Sequence, residues 1–327
     1  ALSAHAQDNP LWMRYCAISP DGTSIAFTYK GDIYTVPVNG GKAAQITTNA
    51  AHDTHPVWSP DGKQIAFASD RMGSMDIFVV DREGGIPKRL TTHSGNETPV
   101  AFKDADHILF LANVMPSAED AQFPSGQFQQ VYEVSTTGDR PVMFSSMPME
   151  DISINKTGNA LLYHDKKGYE DPWRKHHTSS ITRDIWLCSL DGKRSYRKLT
   201  SFNGEDRTPV WASDGKSFYY LSEEKGSFNV FKRALDGTSS TQLTHHTKHP
   251  VRFLTAADNG TLCYGYDGEI YTIKEGTEPR KVQISILTDK NDKDLIRQIR
   301  RNGATEIALS PDAKEVAFIL RGDVYVT

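Results

Sequence analysis

The densest group of side chains able to hold a charged ligand is Arg174-Lys175-His176-His177, preceded by Tyr169-Glu170-Asp171-Pro172-Trp173. Cations beside aromatic rings suit a carboxylate, because the guanidinium fork matches its two oxygens. Asp206, Arg207, His249 and Arg252 join these four as candidate substrate-binding residues. Of the eleven histidines, His52, His55, His93, His245, His246 and His249 fall in short polar connections, and His164, His176 and His177 in one longer insertion. With Asp53 and Glu97 nearby in sequence, they could build a metal or acid–base cluster. A simpler reading prevails. His55-Pro56-Val57 and His249-Pro250-Val251 align with Thr98-Pro99-Val100 and Thr208-Pro209-Val210, so histidine alternates with threonine at one repeated structural position. No metal site is expected.

Nucleophilic chemistry finds no support either. The chain has no Gly-x-Ser-x-Gly elbow, His-Glu-x-x-His, phosphate loop or dinucleotide fingerprint, so no catalytic residue and no cofactor is expected. Serines such as Ser59 and Ser310 open tight turns. The chain reads as a platform.

The elements that carry these residues repeat. Ser19-Pro20-Asp21-Gly22, Ser59-Pro60-Asp61-Gly62 and Ser310-Pro311-Asp312-Ala313 are tight turns, with weaker copies ending at Ala105, Gly158, Gly215 and Gly260. Each is followed by a polar residue, Ile or Val, and an aromatic: Asp32-Ile33-Tyr34, Asp76-Ile77-Phe78, Gln130-Val131-Tyr132, Asp184-Ile185-Trp186, Asn229-Val230-Phe231, Glu269-Ile270-Tyr271 and Asp323-Val324-Tyr325. The period of roughly 48 residues is that of propeller blades. Within a unit, short runs of β-branched and aromatic residues alternate with turn signals, giving four strands. The fold expected is all-β: a six-bladed β-propeller of four-stranded antiparallel blades, plus the start of a further blade. A seven-bladed ring with a truncated last blade is the alternative. The domains expected are a signal-peptide remnant at 1–6, the propeller at 7–288, a charged linker at 289–303 and the first blade of a second propeller at 304–327.

In a four-stranded blade the second-to-third loop and the blade-to-blade loop emerge at one end. The Pro-Asp-Gly turns emerge at the other and are uniform. Length variation therefore collects on the first face, chiefly in insertions from Ala112 to Gln129 and from His164 to Arg183. Most of the histidines and the basic cluster belong to that face, at the mouth of the central channel, where loops on a rigid scaffold carry binding residues.

Bulk properties set limits. In 327 residues the net charge is −4, so no basic field attracts nucleic acid. Mean hydropathy is −0.51 and no run is long and apolar enough to span a membrane. Ala4-His5-Ala6 resembles the cleavage site of a secretory signal, which implies export, periplasmic or beyond. Cys16, Cys188 and Cys263 are widely spaced in predicted strands and read as small buried hydrophobes.

The Ser-Pro-Asp-Gly-Lys-x-Ile-Ala-Phe pattern, clearest from Ser59 to Phe67, resembles TolB-like propeller repeats. Lys30-Gly31-Asp32-Ile33-Tyr34, Pro172 to His177 with Arg183-Asp184-Ile185-Trp186, Gly226 to Val230 and His249 to Phe253 resemble the N-terminal propeller of tricorn-like serine peptidases. Ala304 to Asp312 is similar to the point where that family's second propeller begins. The resemblance implies two propellers, a PDZ domain and a C-terminal-processing type peptidase domain, with peptides as ligands and hexameric assembly. It implies that this chain is the non-catalytic propeller of an exported peptidase, guiding or filtering peptides, with none of the family's catalytic residues to carry over. A TolB-like protein-interaction module is the alternative.

Overall fold

The computed structural model describes residues 5–8, 10–113, 128–169, 171, 173, 179–237, 240–288 and 300–327. Among these residues every regular element is a strand, and the sheets include six four-stranded antiparallel ones. Blade two shows the plan: Asp53–Trp58, Gln64–Ser69, Asp76–Asp81 and Lys88–Arg89 pair in sequence order, from the inner strand to the outer.

Both signatures of the sequence repeat prove to be halves of one cross-strand contact. Phe27 lies opposite Tyr34, Phe67 opposite Phe78, Phe110 opposite Tyr132 and Tyr264 opposite Tyr271. Their ring centroids stand 5.7–5.9 Å apart, within the range of favourable aromatic pairs. The Ile-Ala-Phe triplet is explained by the period of two. Ile65 and Phe67 face back into a core shared with blade one, whereas Ala66 faces forward into the core shared with blade three. The small forward residue leaves room for Ile108 and Phe110 of the next blade, and Ala26 does the same for Ile65 and Phe67, whereas blades three, four and five place Leu109, Leu162 and Tyr219 there.

The turn signal works as its residue types require. In blade two, Asp61 Oδ1 accepts from Ser59 Oγ (2.7 Å) and Lys63 N (3.1 Å), and Ser59 Oγ accepts from Gln64 N (2.9 Å). Gly62 takes φ 69°, the left-handed conformation that returns the chain to a strand.

The inner strands of the six blades are Arg14–Ile18, Asp53–Trp58, Glu97–Phe102, Met149–Ile154, Asp206–Trp211 and Arg252–Ala256. Each neighbours the next, and the sixth neighbours the first, so the blades form a closed ring. The four-stranded sheet of blade one, Arg14–Ile18 to Ala44–Gln45, is built wholly from adjacent sequence, as is that of blade six, Arg252–Ala256 to Arg280–Lys281. Ile18 N donates to Thr255 Oγ1 (3.0 Å), Asp258 N to Pro20 O (2.9 Å) and Met13 N to Gly268 O (3.1 Å) across the seam between these two blades. After blade six a strap, Ile284–Thr288, lies parallel to Gly41–Lys42 at the rim of blade one and antiparallel to His5–Asp8. The signal-peptide boundary expected after Ala6 falls inside this last strand. A separate three-stranded sheet, Ala304–Leu309, Val316–Leu320 and Asp323–Val326, follows, and Arg321 of its turn pairs with Asp70 of blade two at 3.1 Å.

Candidate functional site

Every inner strand breaks its pairing register once, close to its start. At the break Tyr15, His55, Asp151, Thr208 and Phe253 adopt φ of 49–59°, a conformation that residues other than glycine seldom take. Blade three places Pro99 there; its ring fixes a negative φ, and the irregularity takes another form. The pairing registers also correct the alignment read from sequence. His55 is equivalent to Thr208, as expected, but the blade-three equivalent is Pro99 rather than Thr98, and the blade-six equivalent is Phe253 rather than His249. Proline misled the alignment, because it can stand on either side of the break.

These six bulge residues line an axial cavity of about 990 Å³ that reaches to the Pro-Asp-Gly turns at the far end. One side of the ring is aromatic. Tyr15 meets the His55 ring at 3.7 Å and Phe253 at 4.9 Å between centroids, both tilted. The opposite side is polar, with Thr208 Oγ1 donating to Asp151 Oδ2 at 2.6 Å. Burial pushes His55 down to about 4, only weakly opposed by Asp151, so the imidazole is neutral at physiological pH.

One residue nearer the mouth, blades one, five and six carry Arg14, Arg207 and Arg252 at equivalent positions. Trp173, from the blade-four insertion, reaches across to them. Its carbonyl accepts from Arg252 Nη2 (2.8 Å), and its ring lies 4.9 Å from the Arg252 guanidinium carbon and 5.1 Å from that of Arg14. Trp12 flanks Arg14 at 5.7 Å. Arg252 is pushed down to about 10, first by burial and then by the like charges of Arg207 and Arg14, against Asp171 and Glu205. Cations that repel one another in a partly desolvated site gain from an anion placed among them.

Blade four supplies the support. Glu150 receives Lys166 Nζ (2.7 Å), His164 Nε2 (3.2 Å) and Arg183 Nε (3.3 Å), and Arg183 Nη1 bonds Glu205 Oε1 (2.9 Å). Glu205 in turn lies 3.5 Å from Arg207. Burial alone would raise the Glu150 carboxyl, but His164, Arg183 and Lys166 outweigh it and hold the group far below the usual carboxylate range. This buried chain of alternating charges holds Arg207, which is itself buried and lies 4.2 Å from the centre of the Phe228 ring.

Of the residues expected from sequence, Arg207 and Arg252 stand at this mouth. Arg174, Lys175, His176 and His177 lie outside the described residues. Asp206 turns away into the junction between blades four and five, where Thr200 and Ser222 bond it. His249 pairs with Asp267 at 3.3 Å on the rim of blade six. His164, expected in the insertion, belongs to the second strand of blade four. Sequence reasoning missed Arg14, Tyr15 and Phe253. Their only signal is equivalence to Arg207, His55 and Thr208, and blades one and six lack the proline that makes the inner strand recognisable.

A model of the tricorn protease N-terminal beta propeller domain matches residues 10–279. The chain belongs to that family. It is 25% identical to tricorn protease homolog 1 of Streptomyces coelicolor, over 85% of this chain and 25% of the relative. It is likewise 25% identical to the tricorn protease of Thermoplasma acidophilum, over 97% of this chain and 29% of the relative. The chain thus spans about a quarter of these curated relatives. In fold it is similar to the crystal structure of the tricorn protease (TM-score 0.73, 20% identity, 98% of this chain and 30% of that one). It is also similar to TolB from Acinetobacter baumannii (TM-score 0.58, 15% identity, 87% and 67%). Within this tricorn-type propeller, the match takes in all six inner strands and so the whole mouth.

Proposed function

We propose that this propeller is the non-catalytic, peptide-guiding unit of an exported tricorn-like serine peptidase, whose active site belongs to other parts of a longer protein. Family membership and the quarter-length match to protease relatives support that reading. The observation that carries it is the convergence of Arg14, Arg207 and Arg252 with Trp173 on one mouth of the axial cavity. There the guanidinium groups bind the terminal carboxylate of a short peptide, the tryptophans cover its side chains, and the channel admits only unfolded chain. Arg174 and Lys175, which follow Trp173 in the sequence, are further candidates for holding the peptide carboxylate. In this proposal the domain limits are 7–288 for the propeller, 289–303 for a linker and 304–327 for the start of a second propeller, and the assembled protein is a hexamer.

Fluorescence anisotropy with labelled penta- to octapeptides tests this on the chain alone. Peptides with a free C-terminus are expected to bind at least tenfold more tightly than their C-terminal amides. Replacing Arg14 and Arg252 together by glutamine should abolish the difference. Equal binding of acid and amide forms to the unaltered chain would sink the assignment of the mouth.

A further inference from the structure

The seam between blades six and one is the single junction of the ring that the chain itself does not bridge by a blade-to-blade connection. Two of the three cysteines meet there, although nearly the whole ring separates them in sequence. Cys16 is in the inner strand of blade one and Cys263 in the second strand of blade six, and those two strands pack directly on each other. Both side chains are buried in the same apolar cluster. Cys16 Sγ donates to Phe253 O at 3.5 Å, while Cys263 stands opposite Thr255, whose hydroxyl accepts from Ile18 N. Cys16 and Cys263 are both free thiols in this structure, and Cys16 is the side chain that bears most on the Cys263 thiol after burial itself. Cys188, in blade four, donates to Ser189 O at 3.5 Å and has Tyr196 and Arg194 as its neighbours, far from the seam in sequence and blade.

We propose that Cys16 and Cys263 form a disulfide that covalently closes the propeller ring at its seam. The co-reactant is a disulfide, either a small molecule of the glutathione disulfide type or the disulfide of a thiol oxidoreductase. The Cys16 thiolate attacks one of its sulfurs and expels a thiolate, leaving a mixed disulfide. Cys263 then attacks the Cys16 sulfur of that bond and expels the second thiolate. Two protein thiols are oxidised to one disulfide, the co-reactant disulfide is reduced to two thiols, and the two cysteine protons end on them. In the closed ring both thiols are shielded, and burial pushes the Cys263 thiol up, so the exchange runs while the seam is still open, during folding. The gain is of the kind a long cross-linked loop gives, since the bond removes freedom from the unfolded chain between its two ends.

The test refolds the full chain from denaturant in a glutathione redox buffer and, separately, in excess dithiothreitol. Titratable thiols should fall from three to one in the first sample, and a non-reducing digest should yield one cross-linked pair containing Cys16 and Cys263. The oxidised chain should unfold at a higher temperature than the reduced one. Cys188→Ser should keep both the link and the shift, and Cys263→Ala should lose both. The reduced, unaltered chain is its own folded reference, so the comparison survives if a variant fails to fold. Three free thiols after oxidative refolding, a link through Cys188, or a mapped Cys16–Cys263 bond without the thermal shift would each overturn the proposal.

Discussion

Asp206 lies almost wholly inside the junction of blades four and five, and its Oδ1 has no hydrogen-bond partner among the described residues. Burial first, and then the charges of Asp184 and Glu224, push it up to about 7 against hydrogen bonds from Ser222 and Thr200. Glu97 beside Asp76 and Asp32 beside Asp53 are likewise pushed up to about 7, mainly by burial. In the unfolded chain such groups ionise near pH 4. Each therefore contributes stability that is complete below that pH and is lost as pH rises towards 7, because the folded state retains a proton the unfolded state has released. Together these three carboxyls are expected to lower thermal stability between pH 4 and pH 7, opposed over the same window by His55, whose folded value of about 4 makes it contribute more stability as pH rises. Asp206→Asn should raise stability at pH 8, by on the order of 2–4 kcal/mol at most, and change it little at pH 4. Thermal melts of both chains across that range would check this; a gain that does not depend on pH would contradict the assignment.

At the scale of the element, two turns of identical sequence make a controlled comparison. Gly22 and Gly62 both close Ser-Pro-Asp-Gly turns with φ near 70°, so alanine at either position incurs the left-handed strain of roughly 1 kcal/mol. The surroundings differ. A Cβ on Gly22 would come within 2.4 Å of Asn259 Nδ2 across the seam, whereas on Gly62 it meets only Pro20 Cδ at 3.7 Å. Gly22→Ala should therefore lower the melting temperature more than Gly62→Ala, and equal losses would show that Asn259 simply moves aside. These turns also mark how far the sequence could be read. Turn chemistry and aromatic pairing depend on residue type, so Ser59 to Phe67 and Asp76-Ile77-Phe78 announce a blade wherever they occur. The bulge depends on backbone conformation, and Tyr15, His55, Pro99, Asp151, Thr208 and Phe253 have no residue type in common. The mouth was for that reason only half legible: Arg207 and Arg252 stood out beside recognisable neighbours, and Arg14 did not.

For the whole molecule, the question is what keeps the ring shut. The strap after blade six docks on the turn of blade one through Gly41 N to Gln283 O (2.8 Å) and Ala43 N to Ser285 O (2.9 Å), with Arg280 reaching Val38 O (3.0 Å). Gly40, at φ 89°, lies so close beneath the strap that a Cβ would stand 2.5 Å from Gln283 O. Its counterpart in blade two, Gly84, has φ 90° and only an ordinary 3.5 Å contact to Ile46 O. Gly40→Ala should displace the strap, and hydrogen exchange should report faster exchange at Gly41 and Ala43. Gly84→Ala should leave those amides unchanged. Unaltered protection in Gly40→Ala would mean that the seam holds without the strap.

The unequal bulge residues have a consequence for anything that enters the axis. A ring of equal blades would present the same surface at every sixth of a turn, and a threaded chain would have six equivalent orientations within it. Here the wall is a face of Phe253, Tyr15 and His55 in tilted ring contact on one side and the Asp151–Thr208 pair on the other. The axis has lost its rotational symmetry. An extended chain passing through would settle at one roll angle, with apolar groups against the rings and its amide hydrogens towards the acid.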